Sequence, residues 1–396
     1  MLKKVFAKAW IFAKAFVRSF FLENARPRNL IMLAMLLVTT WLMSEIYHFN
    51  TLAEIPISVL DFDQSSTSRT ITRYLDASTM ISVSTYRPRT VEEARSLMTE
   101  NKIAAVVLIP SDFSASLKRG RQAEVLVGSD MSNILIGRNV NNAVAGVVGT
   151  VSAGIRIKLL EKMGDKTQSA SARALPLVSE DNYSFNAAKS YASYLVPGLL
   201  IFFLYVYMTL QNLRVIRSND SLFEKSAGIL GMLPHGVLLG LFMLYVYVPQ
   251  QGLEIHNRYP LFVILLSAGF LTLALFEVAL KLLFRAEIFV MQASVFLAML
   301  SLMFSGITWP VDMFPMPLQM LSSILPFTPI AHGLRILVHF PADAADLSSV
   351  FGSLLSQSLL FVAVALAGIL LHAALAVLKK RLRPGTPKQL SGEVGA

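Results

Sequence analysis

Residues 193–213 read SYLVPGLLIFFLYVYMTLQNL, a run without a single Asp, Glu, Lys or Arg. A helix needs about 20 mostly apolar residues to cross the roughly 30 Å hydrocarbon layer of a bilayer, so this segment reads as a membrane span. Five further segments share its length and character, at about 30–49, 227–248, 260–283, 287–308 and 351–378. Composition agrees, since 54% of the 396 residues are hydrophobic and the mean hydropathy is +0.57, whereas a soluble domain carries about 45–50% apolar residues. The first span reads as a retained anchor. Its run LIMLAMLLVTTWLM begins at residue 30, and no small-residue cleavage pattern follows it. The absence of cysteine excludes disulfides, zinc–thiolate sites and Cys nucleophiles.

Lys and Arg give the orientation. With the N-terminus inside, seventeen basic residues fall on the cytoplasmic flanks: 1–29, 214–226, the turn at Lys281 and Arg285, and the tail. The short outer loops 249–259 and 309–350 hold only Arg258 and Arg335. Both termini are therefore expected in the cytoplasm. The net charge of +10 is explained by topology, which removes the motive for nucleic-acid binding.

Residues 50–190 then form an external domain. Apolar alternation and helical periodicity predict strand–helix pairs in the order IPISVLDFD, SSTSRTITRYLDAS, MISVST, TVEEARSLMTEN, KIAAVVLIP, SDFSASLKRG and AEVLVGSD, followed by a long helix from about Asn133 to Met163. That is an α/β or α+β domain. The run at 143–155 is too short and glycine-rich for a span, and 164–182 reads as a linker.

The stretch VLDFDQSSTSR at 59–69 admits two readings. Asp61 and Asp63 at a strand end have the form of a phosphatase Asp-x-Asp pair, with one carboxylate holding Mg²⁺ and attacking phosphorus. Alternatively, the Asp and Ser oxygens cap a helix that starts near Ser65 or Ser66. The other elements of such a phosphatase are only partly present, which favours the cap.

Taken together, one span, an external α/β domain and five further spans resemble the membrane subunit of a bacterial ABC-2 type transporter. The resemblance is carried by ISVLDFDQSSTSRTITRYLDAS, by KIAAVVLIPSDFSASLKRG with VLVGSDMSNILIGRNVNNAV, and by SGITWPVDMFPMPLQMLSSILPFTPI. It implies a multi-pass protein of the bacterial inner membrane that exports a hydrophobic or amphipathic compound from the cytoplasm or inner leaflet. The implied fold is an α-helical polytopic membrane protein of about six spans. Its domains are an elbow helix in 1–29, the first span at 30–49, the external domain at 50–190, helices two to six in 191–383 and a tail at 384–396.

ATP and Mg²⁺ are expected on a separate ABC ATPase, because the chain has no Gly-Lys dipeptide and so no phosphate-binding loop of the G-x-x-x-x-G-K-[ST] form. No catalytic, cofactor-binding or metal-binding residue is assigned to this chain. The implied partners are that ATPase, a second copy or paralogous permease, a periplasmic adaptor and the lipid membrane. A non-transporting scaffold or receptor is the alternative.

Two elements could couple to the ATPase. Residues 3–22, KKVFAKAWIFAKAFVRSFFL, read as a basic amphipathic helix in the headgroup layer. Residues 214–230 resemble the family's short coupling helix, with Arg217, Asp220, Leu222, Phe223 and Glu224 as the coupling residues, although the usual Glu-Arg and Gly-Thr-x-Glu are missing. The resemblance also makes Phe202, Tyr205, Met299 and Met303 candidate wall residues of the substrate path. Within the spans, Glu277 is expected to form a helical pair with Lys281 that snorkels inward, with a proton relay as the other reading. Glu45 is expected near the outer headgroups. His332 and His339 are too few for a metal site. The prolines at 310, 315, 317, 326 and 329 predict a re-entrant lid after the fifth span.

Overall fold

The computed structural model describes the chain apart from residues 1, 24, 47–52, 165–166, 168–190, 218–221, 251–257, 285, 341 and 383–396. Most of the expected linker at 164–182 and the tail at 384–396 thus lie outside the described residues. Contacts divide the chain into two units, Met1–Asn50 with Ser190–Ala396, and Thr51–Lys189.

The chain opens with helix α1 (Leu2–Val17), a π-helical turn (Arg18–Glu23) and α2 (Pro27–Ile46). Helix α2 starts on a proline, which is tolerated where the missing N–H would have no partner anyway. The second unit follows as β1 (Ile55–Asp61), α3 (Ser66–Asp76), β2 (Ile81–Val83), α4 (Val91–Thr99), β3 (Ala105–Ile109), α5 (Phe113–Lys118), β4 (Leu126–Ser129) and α6 (Ile134–Lys162). Its sheet has the order β2-β1-β3-β4. Strand β1 is parallel to both β2 and β3, and β4 is antiparallel to β3. On one face Ile55, Ile57, Val107 and Ile109 pack with Ile71 and Leu75 of α3 and with Val140, Val144 and Val151 of α6. On the other face Leu60 and Val106 pack with Ala94 of α4. Period-2 alternation on the strands gives the sheet two apolar faces, and helices cover both.

The first unit resumes with α7 (Tyr191–Arg217), α8 (Leu222–Gln250), α9 (Tyr259–Phe284), α10 (Glu287–Phe304), α11 (Met316–Ile324), α12 (Phe327–His339) and α13 (Ser348–Leu382). Among the described residues, seven helices are long and apolar enough to cross a membrane. Six of them, α2, α7, α8, α9, α10 and α13, coincide with the expected spans. The seventh is α6, whose 29 continuous helical residues contain the 143–155 run. Helix α10 stops at Phe304 because Gly306 follows with φ +85, a left-handed conformation that glycine adopts without a Cβ clash. The proline-rich stretch becomes α11 and α12, bent by 87°. Helix α12 is buried along Phe327, Ile330, Leu334 and Leu337. The core of this unit is lined by α7 and α9, with Phe202, Tyr205, Phe262, Phe270 and Phe327 fully enclosed. Helices α2 and α13 instead present most of their apolar side chains outward, such as Ile31, Val38 and Trp41, or Leu355, Leu359 and Leu370.

Candidate functional site

Helix α1 and the π-helical turn lie against the first half of α8. Two glycines in SAGILG permit the approach. A Cβ placed on Gly231 would stand 2.7 Å from the Phe16 carbonyl oxygen and 3.2 Å from Ser19 Cβ, and one on Gly228 would stand 3.0 Å from Ser19 Oγ. Ser19 is buried as a result. Phe20 meets Phe21 edge-on with ring centroids 4.6 Å apart, while Trp10, Lys14 and Arg18 remain exposed. The amphipathic helix expected over 3–22 is thus present as α1 and the wider turn after it.

At the far end of α7, the Arg214 guanidinium donates to Asn29 Oδ1 at the start of α2 and to Gln211 Oε1 at 3.1 Å. Asn29 and Gln211 are both 1% exposed. This arrangement ties α2 to α7 beside α8. Sequence reasoning passed over Gln211 and Asn29; the available signal was TLQN at 209–212, a polar cluster closing an otherwise apolar span.

The coupling residues fall around the α7–α8 connection. Helix α7 continues to Arg217 and α8 begins at Leu222. The stretch expected as one short helix is therefore largely divided between two long ones. Asp220 lies outside the described residues, as do the side chains of Arg217, Leu222 and Phe223. Glu224 is described, half-buried in the first turn of α8.

The four candidate wall residues occupy different faces. Phe202 and Tyr205 turn into the core, with ring centroids 5.3 Å and 5.1 Å from Phe327. Met299 and Met303 face outward from α10, 49% and 61% exposed. One chain alone does not bring the four into a common wall.

Glu277 departs from expectation. Its carboxyl is fully buried on the inward side of α9, facing the Asn212 and Thr209 side chains of α7. Neither of its oxygens has a well-formed hydrogen bond among the described residues. Lys281 pairs instead with Glu287 Oε1 at 3.1 Å. The expected Glu277–Lys281 pair is corrected accordingly: the tight connection from α9 to α10 brings Glu287 to the ammonium, while Glu277 points into the bundle. Glu45, at the end of α2, is exposed.

Arg258 and Arg335 both bind backbone. Arg335 stacks over the Tyr194 ring at 5.1 Å and donates to the Gly306 carbonyl. Arg258 donates to the carbonyls of Phe340 and, at 3.4 Å, Leu337. His332 is exposed and His339 half-buried, and no group of three or more His, Asp or Glu among the described residues could hold a metal.

In the α/β unit, both acids of the Asp-x-Asp pair are engaged by the fold. Asp61 Oδ1 accepts from the backbone N–H groups of Asp63 and Gln64 at 3.0 and 2.9 Å, and Oδ2 accepts from Ser68 Oγ at 2.6 Å. Ser65 Oγ caps α3 by accepting from the Ser68 N–H. Asp63 Oδ1 accepts from the N–H and hydroxyl of Ser114, 51 residues away, at 3.1 and 2.9 Å. Desolvation raises the Asp63 pKa, but hydrogen bonds from Ser65 and Ser114 and the charge of Lys118 outweigh it and hold the carboxyl below its ordinary value. The geometry is that of a cap and a tie between α3 and α5.

Comparison with known proteins gives one family match. The family described as "ABC-2 family transporter protein" matches residues 30–370. No curated protein matches the chain, and no solved structure does.

Proposed function

The chain belongs to the ABC-2 family of transporter proteins, and from that premise we propose that it is the permease of an exporter that moves a hydrophobic or amphipathic compound out of the cytoplasm or inner leaflet. ATP is hydrolysed by a separate ABC ATPase on the cytoplasmic side. Residues 50–190 face outward, both termini lie inside, and the inner membrane of a bacterium holds the protein. The seating of α1 on α8 through Gly228 and Gly231 is the observation that carries the coupling reading. With α2 tied to α7 through Asn29 and Arg214, a force on the α7–α8 connection is passed to four helices at once.

A second copy or a paralogue completes the substrate path. The outward Met299 and Met303 support this reading, since flexible thioether side chains suit a varied apolar ligand. The bent pair α11–α12 serves as the re-entrant lid, and a periplasmic adaptor engages the outer domain.

Coupling is tested by reversing Arg217 and Glu224 together, and separately by replacing Leu222 and Phe223 with Asp. Each variant is expected to lose ATPase co-purification and substrate-stimulated hydrolysis while still reaching the membrane. Unchanged binding and hydrolysis in both would sink the coupling assignment and favour a scaffold. Reporters fused after residues 120, 220 and 385 are expected to be external, cytoplasmic and cytoplasmic. A cytoplasmic reporter at 120 overturns the topology and with it the export reading.

A further inference from the structure

Glu277 stands on the inward side of α9, about 10 Å along the helix axis from its end at Phe284. It is 0% exposed, as is Asn212 of α7, and Thr209, one turn before Asn212, is 1% exposed. Asn212 and Thr209 are the side chains that meet its carboxyl, and both are uncharged.

No cation meets that carboxyl among the described residues. Lys281, one turn on along α9, is bound by Glu287 at 3.1 Å. The histidines of two neighbouring helices are engaged elsewhere: His235 of α8 lies 2.8 Å from the Tyr207 hydroxyl, and His372 of α13 lies 3.0 Å from the Leu283 carbonyl oxygen. Helix α12 meets α9 more than two turns earlier, where Leu265 faces Gly333 and Gly269 faces Ile330. Tyr205 of α7 is within electrostatic reach, but its hydroxyl is engaged by Ser301 of α10, and a phenol carries no charge at neutral pH. A carboxylate so placed would be a dry charge without a counter-charge, an arrangement that membrane bundles avoid, and a bound proton removes the charge.

We propose that Glu277, Asn212 and Thr209 form an intramembrane proton-binding site, in which Glu277 is a carboxylic acid hydrogen-bonded across the interface of α7 and α9. The groups are complementary. A carboxylic acid has one O–H to donate and a carbonyl oxygen to accept; the Asn212 amide offers an acceptor and two N–H donors, and the Thr209 hydroxyl serves in either role. An ionised carboxylate only accepts, so it could make no use of the Asn212 carbonyl oxygen. The proton is held jointly by α9 and by the stretch of α7 that carries Gln211 and Arg214.

The test is infrared difference spectroscopy on the purified full chain in phosphatidylcholine nanodiscs at neutral pH, with the proton itself as the probe. The wild type minus Glu277→Gln is expected to show a carboxylic-acid carbonyl band that shifts in D2O. Asn212→Leu and Thr209→Val should each move that band, because each removes a hydrogen-bonding partner, and Lys281→Gln should leave it in place. If Glu277→Gln does not fold, wild-type chain made with isotope-labelled glutamate reports the same band by its isotope shift. Loss of carboxylate bands in Glu277→Gln, or absence of a glutamic-acid band from the labelled wild type, overturns the proposal by showing a charged Glu277. A band that neither Asn212→Leu nor Thr209→Val moves overturns the joint site, and a band altered by Lys281→Gln overturns it in favour of an ion pair.

Discussion

Replacing Gly231 with valine should lift α1 and the π-helical turn from α8. The added Cβ would stand 2.7 Å from the Phe16 carbonyl oxygen, where ordinary contact begins at 3.4 Å. The backbone must therefore retreat by about 0.7 Å. No side-chain rotation can relieve this clash, because the obstructing atom is main chain. Overpacking of this kind costs about 1–3 kcal/mol, which raises the population of the detached state roughly 5- to 150-fold. The chain has no cysteine, so Ser19→Cys gives a single thiol at a position 6% exposed against α8. Maleimide should label it slowly in the otherwise unchanged protein, and faster by that factor once Gly231→Val is added. Gly146→Ala in α6 is the control: nothing lies within 4 Å of the added methyl, and exchanging glycine for alanine within a helix gains up to about 1 kcal/mol. An unchanged labelling rate in Gly231→Val would refute the claim that this glycine seats α1 and the π-helical turn.

The Glu277 correction predicts a double-mutant cycle: Lys281 with Glu287 should show coupling of about 0.2–1 kcal/mol, as expected for a partly exposed ion pair, and Lys281 with Glu277 none. A larger coupling to Glu277 would restore the snorkelling pair. In the α/β unit, Asp63→Ala and Ser114→Ala should each destabilise by about 1 kcal/mol at most, because solvent screens this pair, and should be non-additive together. The folded-state pKa of Asp63 lies below the ordinary aspartate value of 3.8, so its contribution is present above that pH and lost as the pH falls through the folded value. The protection factor of the Ser114 amide, its exchange rate relative to that of an unprotected amide at the same pH, should fall on acidification below 3.8 in the wild type and show no such step in Asp63→Ala. Gly306→Ala should destabilise by about 1–2 kcal/mol, because φ is +85 there and a Cβ is strained in that region; a thermal scan that finds no change would contradict the assigned turn.

The spans and the strand–helix alternation were legible because hydropathy and periodicity are properties of neighbours along the chain. SYLVPGLLIFFLYVYMTLQNL is apolar over the thickness of a bilayer whatever surrounds it, and IPISVLD alternates whatever its partners. The cap of α3 was likewise local, since Ser65 reaches an N–H only three residues on. What pairs with what was not legible. The order β2-β1-β3-β4, the 51-residue tie from Asp63 to Ser114 and the seating of Phe16 on Gly231 join residues far apart in the chain. Glu277 and Lys281 show the limit most clearly, for their i,i+4 spacing suits a helical pair, yet Lys281 is bound by Glu287 and Glu277 turns to α7. Spacing fixes which side chains are able to meet on one helix; packing against other helices decides which of them do, because only the assembled bundle sets which face is dry and which charge is nearest.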